Sequence, residues 1–339
     1  MKTSDFDYTL PPEMIAQTPV EPRHAARLLV LERRTGKMEH TRFREIGSYL
    51  EPGDLLVVNQ TRVIPARMYA RKSSGGKIEV LLLNKKGETT WEVLVGGKRM
   101  DAGKSFSVIG GPQGTILEVL EGSRRMVQFD EQIEPFLNTA GHVPLPPYIH
   151  ETLQDRERYQ TVYAAMPGSA AAPTAGLHFT RELMDRLSSR GIGFASVDLQ
   201  VGLDTFAPVT EEDAEEHTIH CEWCSVPVDV VEEVRRTKAA GKRVVAVGTT
   251  SMRSLESAAI GAEPGEILHP VEGQTGLFIL PGYSFKVVDA LITNFHLPRS
   301  TLLMLVSAFA GRECILKTYQ AAIEDGYRFY SFGDAMLIL

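Results

Sequence analysis

The sequence lacks the features that mark secreted, disulfide-bonded and membrane-spanning proteins. It contains three cysteines in 339 residues, which is too few for a disulfide framework. Its longest apolar run near the C-terminus, residues 302–310, is interrupted by Ser307 and is too short to cross a bilayer. The first residues, Met-Lys-Thr-Ser-Asp, do not contain the apolar core of a signal peptide. These absences predict a cytoplasmic protein that does not enter a membrane.

Several motifs that identify enzymes are also missing. There is no Gly-x-Gly-x-x-Gly and no Ser-His-Asp order, and the segment at 244–253 lacks the Gly-Lys-Ser/Thr of a P-loop. Cys221 and Cys224 form a single C-x-x-C near His217 and His220. One such pair is weak evidence for zinc, and we favour two buried thiols beside Trp223. We therefore expect no metal.

Charge is unevenly distributed along the chain. The net charge is −7, yet residues 60–130 hold twelve Lys/Arg against seven Asp/Glu, a local balance of +5 that leaves −12 for the rest. A basic segment on an acidic chain is compatible with a polyanion docking on one side. A solvated β-surface with mixed charges explains this feature equally simply and is the more common case.

The chain divides into two regions with different patterns of predicted secondary structure. Between 63 and 149, short strand candidates alternate with Gly-rich turns, which is typical of an antiparallel sheet or small barrel. These candidates are residues 77–83, 90–95, 105–109, 114–120 and 125–129. After residue 150 the pattern alternates between helix and strand. The sequence predicts an α/β body, residues 1–62 and 150–339, with an inserted second domain at 63–149 that is an antiparallel sheet or a small barrel.

Individual elements of the α/β body are also predicted. Strands are expected at 27–31, 55–58, 194–201, 244–247, 277–280 and 290–292, and helices at 13–17, 180–190, 228–240, 251–259, 300–310 and 312–325. Four polar segments follow or precede such elements: 248–251, 293–296, 299–301 and 333–334. Strand ends and helix starts of α/β proteins are where ligands bind, because unpaired backbone donors lie there.

The segment after the strand at 244–247 begins a helix with Gly248, Thr249, Thr250 and Ser251, and Arg253 follows. The free N–H groups and positive dipole of a helix start suit a carboxylate or phosphate. The alternative is that one of the three hydroxyl side chains merely caps the helix.

The segment at 168–180 is rich in small residues, since seven of its thirteen are Gly, Ala or Ser. Small side chains let a flat ligand approach the backbone closely. His178 lies near the end of this segment, just before the helix predicted at 180–190, and it is either a catalytic residue or a satisfied core histidine. Asn294, His296 and Arg299 share one loop and differ in hydrogen-bonding type, which suits a polar ligand.

Long motifs in the chain resemble the S-adenosylmethionine:tRNA ribosyltransferase-isomerase family of queuosine biosynthesis. They are residues 59–67 (NQTRVIPAR), 143–149 (VPLPPYI), 168–180 (GSAAAPTAGLHFT), 248–256 (GTTSMRSLE), 281–306 and 327–338. The resemblance runs from Asp5-Phe6-Asp7-Tyr8 to the C-terminus and covers nearly the whole chain.

The resemblance implies an unusual reaction. The ribosyl part of S-adenosylmethionine is transferred and isomerised onto 7-aminomethyl-7-deazaguanine at the wobble position of tRNA, giving epoxyqueuosine, adenine and methionine. The implied partners are tRNA and S-adenosylmethionine, which is consumed as a co-substrate. The implied fold is an α/β body interrupted by a β-barrel-like insertion. The sulfonium already supplies the electrophile, so no metal is expected. No segment looks like an oligomerisation element, and we expect a monomer.

The resemblance also gives residue roles by motif position. His178 and His296 are the expected acid/base pair, and Asn294 and Asp334 are expected to position them. The expected substrate-binding residues are Ala172, Thr174 and Gly176 against a base, and Gly248, Thr249, Thr250, Ser251 and Arg253 at a polar group of S-adenosylmethionine. The expected tRNA contacts are Arg62, Arg67 and Arg299.

The sequence departs from the family pattern Leu-His-Val-Gly-x-Gly-Thr-Phe at two positions. Gln200 replaces the usual His, and Asp204 replaces the usual Gly. Glutamine cannot act as a base near neutral pH. A divergent paralogue that binds tRNA or a nucleoside with altered or lost catalysis is therefore the second hypothesis. A methyltransferase is a third, against which the missing Gly-rich fingerprint argues.

Overall fold

The structure, a computed structural model, describes residues 1–202 and 209–339. The chain forms two compact units. The larger unit consists of Met1–Arg62, Pro146–Met166 and Ala172–Leu339, and the smaller consists of Val63–Leu145 and Pro167–Ala171.

Eighteen strands and six α-helices are described. The strands are β1 (Arg27–Glu32), β2 (Lys37–Arg42), β3 (Leu55–Asn59), β4 (Thr61–Val63), β5 (Arg67–Lys72), β6 (Lys77–Lys85), β7 (Thr90–Gly96), β8 (Ser105–Val108), β9 (Gln113–Val119), β10 (Arg124–Phe129), β11 (Gly141–His142), β12 (Met166–Ser169), β13 (Gly193–Leu199), β14 (Glu222–Val226), β15 (Val244–Val247), β16 (Val271–Thr275), β17 (Ala290–Asn294) and β18 (Ala335–Ile338). The α-helices are α1 (Leu137–Ala140), α2 (Arg181–Ser189), α3 (Val228–Ala239), α4 (Gly248–Ala258), α5 (Thr301–Ala310) and α6 (Arg312–Glu324). Short 3₁₀ segments include Phe43–Tyr49 and Thr174–His178. None of the helices in the described ranges combines the length and apolarity needed to span a bilayer.

The larger unit is built on a nine-stranded mixed sheet in the order β16-β14-β13-β3-β15-β17-β18-β1-β2. Strands β13, β3, β15 and β17 are mutually parallel. Each of these strands is apolar over most of its length and buried, as expected for parallel strands covered on both faces. Their carboxyl ends therefore meet at one edge of the sheet, where ligands bind in open α/β sheets.

One face of this sheet packs on α2 and on the 3₁₀ segments around residues 43–49 and 174–178. Alternate strand residues form the contact, because successive side chains point to opposite faces. The buried cluster includes Leu56, Val58, Val245, Val247, Ala290, Ile292, Ala175, Phe179, Leu183 and Leu187. The core thus lies between this face of the sheet and the helical segments that cover it.

The smaller unit is a closed antiparallel barrel. Its strands run in the order β5-β6-β7-β10-β9-β8, and β8 pairs back to β5, so six strands close the barrel while β11 adds to β5 outside. The predicted fold class, an α/β body with an inserted β-barrel-like domain, is confirmed. The sequence boundaries of 62/63 and 149/150 compare with unit boundaries at Arg62/Val63 and Leu145/Pro146.

Two element predictions were wrong. No strand forms at 277–280; the edge strand is β16, and the carbonyl oxygen of Leu277 instead accepts a hydrogen bond from Arg253 Nε at 3.2 Å. The helix expected at 13–17 is a single 3₁₀ turn, Pro12–Met14, because Ile15 already forms a β-bridge with Phe329.

Candidate active site

Two of the predicted polar segments, 248–251 and 293–296, meet the small-residue segment 168–180 at the carboxyl edge of the larger unit's sheet. The 3₁₀ turn Thr174–His178, the start of α4 and the end of β17 contact one another. A Cβ atom placed on Gly248 would lie 3.7 Å from the Cβ of Ala175. Thr174 Oγ1 donates to Asn294 Oδ1 at 3.3 Å. The structure thus brings together residues that are distant in sequence and that the sequence predicted as one site.

His178 and Asn294 form the centre of this arrangement. Asn294 Nδ2 lies 3.3 Å from His178 Nε2 and donates to the carbonyl oxygen of Tyr330 at 3.1 Å. With Asn294 in this orientation, His178 Nε2 accepts, which assigns the proton of the neutral imidazole to Nδ1. Burial, reinforced by Arg328 and Arg23, lowers the pKa of His178 to about 3. His178 is therefore held as a neutral, oriented imidazole.

The acceptor of Asn294, Tyr330, has an unusual backbone conformation. Its φ is 69°, a left-handed value that bulky residues rarely adopt, and its side chain is buried. Asp334 holds this loop: Oδ1 accepts from the amide of Arg27 at 2.8 Å and Oδ2 from the amide of Arg328 at 2.8 Å. Asp334 thus acts on the loop that carries Tyr330 and does not itself touch His178.

His296 lies two residues after Asn294 in a separate network. Its Nε2 is 2.8 Å from Thr293 Oγ1, and its backbone N–H donates to the Tyr319 hydroxyl at 2.9 Å. The Tyr8 hydroxyl donates to its carbonyl oxygen. Burial lowers the pKa of His296 to about 3. Within the described ranges the imidazoles of His296 and His178 share no hydrogen bond.

The start of α4 lacks a side-chain cap. Val247 occupies the N-cap position without a capping hydrogen bond, and Gly248 follows with φ 89°. Ser251 Oγ donates back to the Val247 carbonyl at 2.9 Å, and Thr250 Oγ1 is buried without a partner. The interpretation that Thr249, Thr250 or Ser251 caps this helix was therefore wrong, and an anion could accept from its first N–H groups.

Arg253, one turn further along α4, is buried in an ion pair with Glu222 of β14. Glu222 Oε1 also accepts from the amide of Gly202 at 3.1 Å. Arg253 Nη2 is buried and has no hydrogen-bond partner among the described residues. The pair ties α4 to the edge of the sheet, and one guanidinium nitrogen stays free to receive an acceptor.

Gly176 marks a close approach that the sequence did not predict. A Cβ atom at this position would lie 1.9 Å from the hydroxyl oxygen of Tyr163 and 2.9 Å from Thr161 Cγ2. The Tyr163 hydroxyl and Thr161 Oγ1 are both buried without partners. Ala172, the first residue of this segment in the larger unit, is also buried. Buried polar atoms without partners are rare in folded proteins and call for an explanation.

Asp198 and Gln60 are further residues at the same edge that sequence reasoning missed. Gln60 Nε2 donates to Asp198 Oδ2 at 3.2 Å, and burial raises the pKa of Asp198. The signal was present in the sequence, because Asp198 is the one carboxylate in the apolar strand β13 and Gln60 directly follows β3. Gln200 is half-buried, and its backbone N–H donates to the Trp223 carbonyl at 2.9 Å. Asp204 lies outside the described residues.

The three arginines expected at tRNA all have carboxylate partners. Arg62 pairs with Glu157, Arg67 Nε lies 3.1 Å from Glu79 Oε1, and Arg299 Nε lies 2.8 Å from Asp7 Oδ2. Arg62 and Arg299 belong to the larger unit, whereas Arg67 belongs to the barrel. Partly exposed pairs of this kind contribute roughly 0–1 kcal/mol, so phosphate could replace the carboxylates at little cost.

The C-x-x-C pair does not consist of two buried thiols. Cys224 is buried and burial raises its pKa, whereas Cys221 is exposed. His217 Nδ1 is engaged by Glu211 Oε2 at 3.0 Å. Among the described residues, no group of three or more His, Cys, Asp or Glu side chains is arranged to hold a metal ion.

Comparison with known proteins gives a consistent result over the full length. The family described as "Queuosine biosynthesis protein" matches residues 3–338. S-adenosylmethionine:tRNA ribosyltransferase-isomerase from Desulfitobacterium hafniense is 54% identical over 344 residues, and the protein of that name from Thermotoga maritima is 52% identical over 340 residues; both alignments cover 100% of each chain. The crystal structure of S-adenosylmethionine tRNA ribosyltransferase from Thermotoga maritima matches with a TM-score of 0.58 and 43% identity, covering 99% of this chain and 100% of that one.

These matches agree with the architecture described above, in which a nine-stranded mixed sheet and a closed six-stranded barrel occur in one chain. They span both units, including the segments that meet at the sheet edge. The chain therefore belongs to the queuosine biosynthesis protein family.

Proposed function

We propose that the protein transfers and isomerises the ribosyl moiety of S-adenosylmethionine onto 7-aminomethyl-7-deazaguanine at the wobble position of tRNA. The products are epoxyqueuosine-tRNA, adenine and methionine. One observation supports this proposal above the others: Thr174–His178, the uncapped start of α4 and Asn294 meet at the carboxyl edge of the parallel strands. The reaction that we assign to this site is the one named for the chain's relatives.

The chemistry needs orientation and proton transfer more than it needs a cofactor. The sulfonium acidifies the neighbouring 5′ carbon, and loss of a proton there gives an ylide. Ring opening breaks the C4′–O4′ bond and releases adenine, which leaves an aldehyde at C1′ and a vinyl sulfonium at C4′–C5′. The aminomethyl nitrogen adds to C4′, the C5′ ylide so formed attacks C1′ to close the carbocycle, and the alkoxide at C1′ displaces methionine from C5′ to form the epoxide. We assign the proton transfers to His178 and His296, and the fixed tautomer of His178 to Asn294.

The start of α4 is assigned to the substrate's carboxylate. Its free N–H groups and dipole favour a negative charge, and the unpartnered Nη2 of Arg253 and Oγ1 of Thr250 add donors on the same helix. The base is assigned to the small-residue segment around Ala172 and Thr174. Gly176 supports that segment by admitting the Tyr163 hydroxyl, since a Cβ atom at residue 176 would lie 1.9 Å from it. Buried polar atoms that lack partners here would be satisfied by substrate.

The tRNA contacts are assigned to Arg62, Arg67 and Arg299. Each guanidinium is already presented near the surface by a carboxylate partner that phosphate can displace. Because phosphate contacts release counterions, the tRNA affinity should fall as salt rises. We further propose that the protein acts as a monomer.

The test is direct. The protein is incubated with S-adenosylmethionine and a tRNA that carries 7-aminomethyl-7-deazaguanine, and adenine release and the epoxide product are followed by mass spectrometry. We expect both products in equal amounts. Tight tRNA binding without adenine release would refute the reaction and favour a non-catalytic paralogue, whereas a methylated product without adenine would favour a methyltransferase.

A further inference from the structure

Asp198 carries a buried oxygen atom without a partner. Asp198 as a whole is 6% exposed to solvent. Oδ2 accepts from Gln60 Nε2 at 3.2 Å, whereas Oδ1 is buried and no atom of the described residues donates to it. A buried carboxylate oxygen without a donor is costly, and a donor supplied by a ligand removes that cost.

The strand register places Asp198 in one row with the candidate site. The ends of β13, β3, β15 and β17 lie side by side, since Val197 pairs with Asn59, Val58 with Val247, and Val247 with Ile292. Asp198 and Gln60 directly follow the first of these pairs, and Asn294 is the last residue of β17. Neighbouring strands lie about 4.8 Å apart, so the row from Asp198 to Asn294 is about 14 Å long. That length accommodates a nucleoside with an amino-acid arm.

Asp198 also lies on the same face of the sheet as His178 and Asn294. Side chains alternate along a strand, so Asp198 shares the face of Phe194 and Asn294 shares the face of Ile292. Ile292 belongs to the buried cluster that contains Ala175 of the 3₁₀ turn, and the partly buried Phe194 packs against that cluster. The carboxylate is therefore on the ligand side of the row.

The protein itself supplies no cation to this carboxylate within the described ranges. Of the charged side chains on the adjoining β14 and α4, Glu222 and Arg253 pair with each other, and Glu256 accepts from the backbone amides of Lys286, Val287 and Val288. Burial raises the pKa of Asp198 and the Gln60 hydrogen bond opposes that rise, so the ionised form is held at a cost. A cation that donates a hydrogen bond to Oδ1 would supply both the missing donor and the missing positive charge.

We propose that Asp198 Oδ1 accepts a hydrogen bond from a primary ammonium group of a substrate. An ionised carboxylate can only accept, and a sulfonium carries no N–H to donate. Two primary ammonium groups occur in the reactants: the α-ammonium of S-adenosylmethionine and the aminomethyl group of the deazaguanine. The inference rests on the proposed function, which supplies these two candidates.

The experiment compares two pairs of ligands that differ by one ammonium group. The first pair is S-adenosylmethionine and its analogue with hydrogen in place of the α-ammonium. The second pair is an anticodon stem–loop with 7-aminomethyl- or 7-methyl-7-deazaguanine. Dissociation constants are measured for the wild type, for Asp198→Asn and for Asp185→Asn, a matched carboxylate-to-amide control that is exposed on α2.

We expect the wild type to prefer the ammonium-bearing member of one pair by roughly 10- to 100-fold, as charge-assisted hydrogen bonds do. Asp198→Asn should lose most of that preference and Asp185→Asn should keep it; the pair affected identifies the ammonium group. Wild-type preferences retained by Asp198→Asn in both pairs would overturn the proposal. If Asp198→Asn does not fold, Asp198→Ser is used in the same comparison. Adenine release by the wild type is measured separately, so failure of the reaction and failure of this contact are told apart.

Discussion

The neutral state of the two buried histidines predicts how the protein responds to acid. His178 and His296 both have a pKa near 3 in the folded protein because they are buried, compared with an ordinary value of 6.5. The unfolded chain therefore binds protons at these positions between pH 6.5 and pH 3, whereas the folded protein does not. Since stability rises with pH wherever the unfolded state binds more protons, the free energy of unfolding must fall as the pH falls through this window.

The size of the effect follows from the two pKa values. At pH 5 each histidine lowers the free energy of unfolding by about 2 kcal/mol relative to pH 8, since one pKa unit corresponds to roughly 1.4 kcal/mol. Replacing one histidine by a side chain that does not titrate removes its share of the slope. His178→Asn and His296→Asn should each be less stable than the wild type at pH 8, yet each should lose about 2 kcal/mol less between pH 8 and pH 5.

The assay is equilibrium denaturation in urea at pH 5, 6, 7 and 8 for the wild type and both variants. His150→Asn, which removes an exposed imidazole, controls for the loss of a histidine as such. The comparison uses differences between proteins, so carboxylates common to all of them cancel. A variant whose loss between pH 8 and pH 5 equals that of the wild type would show that its histidine is protonated in the folded protein, and the assignment of a neutral, hydrogen-bonded imidazole would fail.

Three further outcomes are expected at the site. Asn294→Ala should lower the rate of adenine release by at least about 10²-fold, because the orienting donor is lost, while tRNA affinity stays within a few-fold; an unchanged single-turnover rate would contradict this role. Gly176→Ala should weaken S-adenosylmethionine binding and lower the melting temperature, because the new methyl group meets the Tyr163 hydroxyl, and adding Tyr163→Phe should restore part of both; no restoration would place the clash elsewhere. Glu222→Gln should cost roughly 3–5 kcal/mol in the free energy of unfolding, because it leaves the charge of Arg253 buried, and a loss below about 1 kcal/mol would show that water reaches the pair.

Much of the α/β body could be predicted from sequence because its elements carry strong local signals. The strand Val244–Val247 is apolar at every position, and Thr180 and Ser300 cap α2 and α5 as predicted, accepting from the amides of Leu183 and Leu303. β5 was missed because its inward residues are few and its outward positions are largely basic. β18 was missed since it follows the irregular Gly333-Asp334 turn and is held by neighbours distant in sequence.

The site shows the same division between local and non-local information. Residues that end apolar strands or begin helices were predictable, because the geometry of parallel sheets brings such positions to one edge. Tyr163 carried no signal, since it lies in an irregular segment and meets Gly176 only through the fold. Tyr330 was equally hidden, because its role depends on a backbone carbonyl and a left-handed φ.

Asp198 lies close in sequence to Gln200, the residue that replaces the usual His of the family pattern. Gln200 lies two residues after Asp198 and directly follows Leu199, the last residue of β13. Glutamine cannot carry charge, whereas the buried carboxylate of Asp198 can, and its Oδ1 has no donor among the described residues. The loss of an ionisable group at 200 therefore does not leave this end of the row without one. A chain that had lost catalysis would have no need of a buried, half-satisfied carboxylate there, because such a group only costs stability unless a ligand completes it.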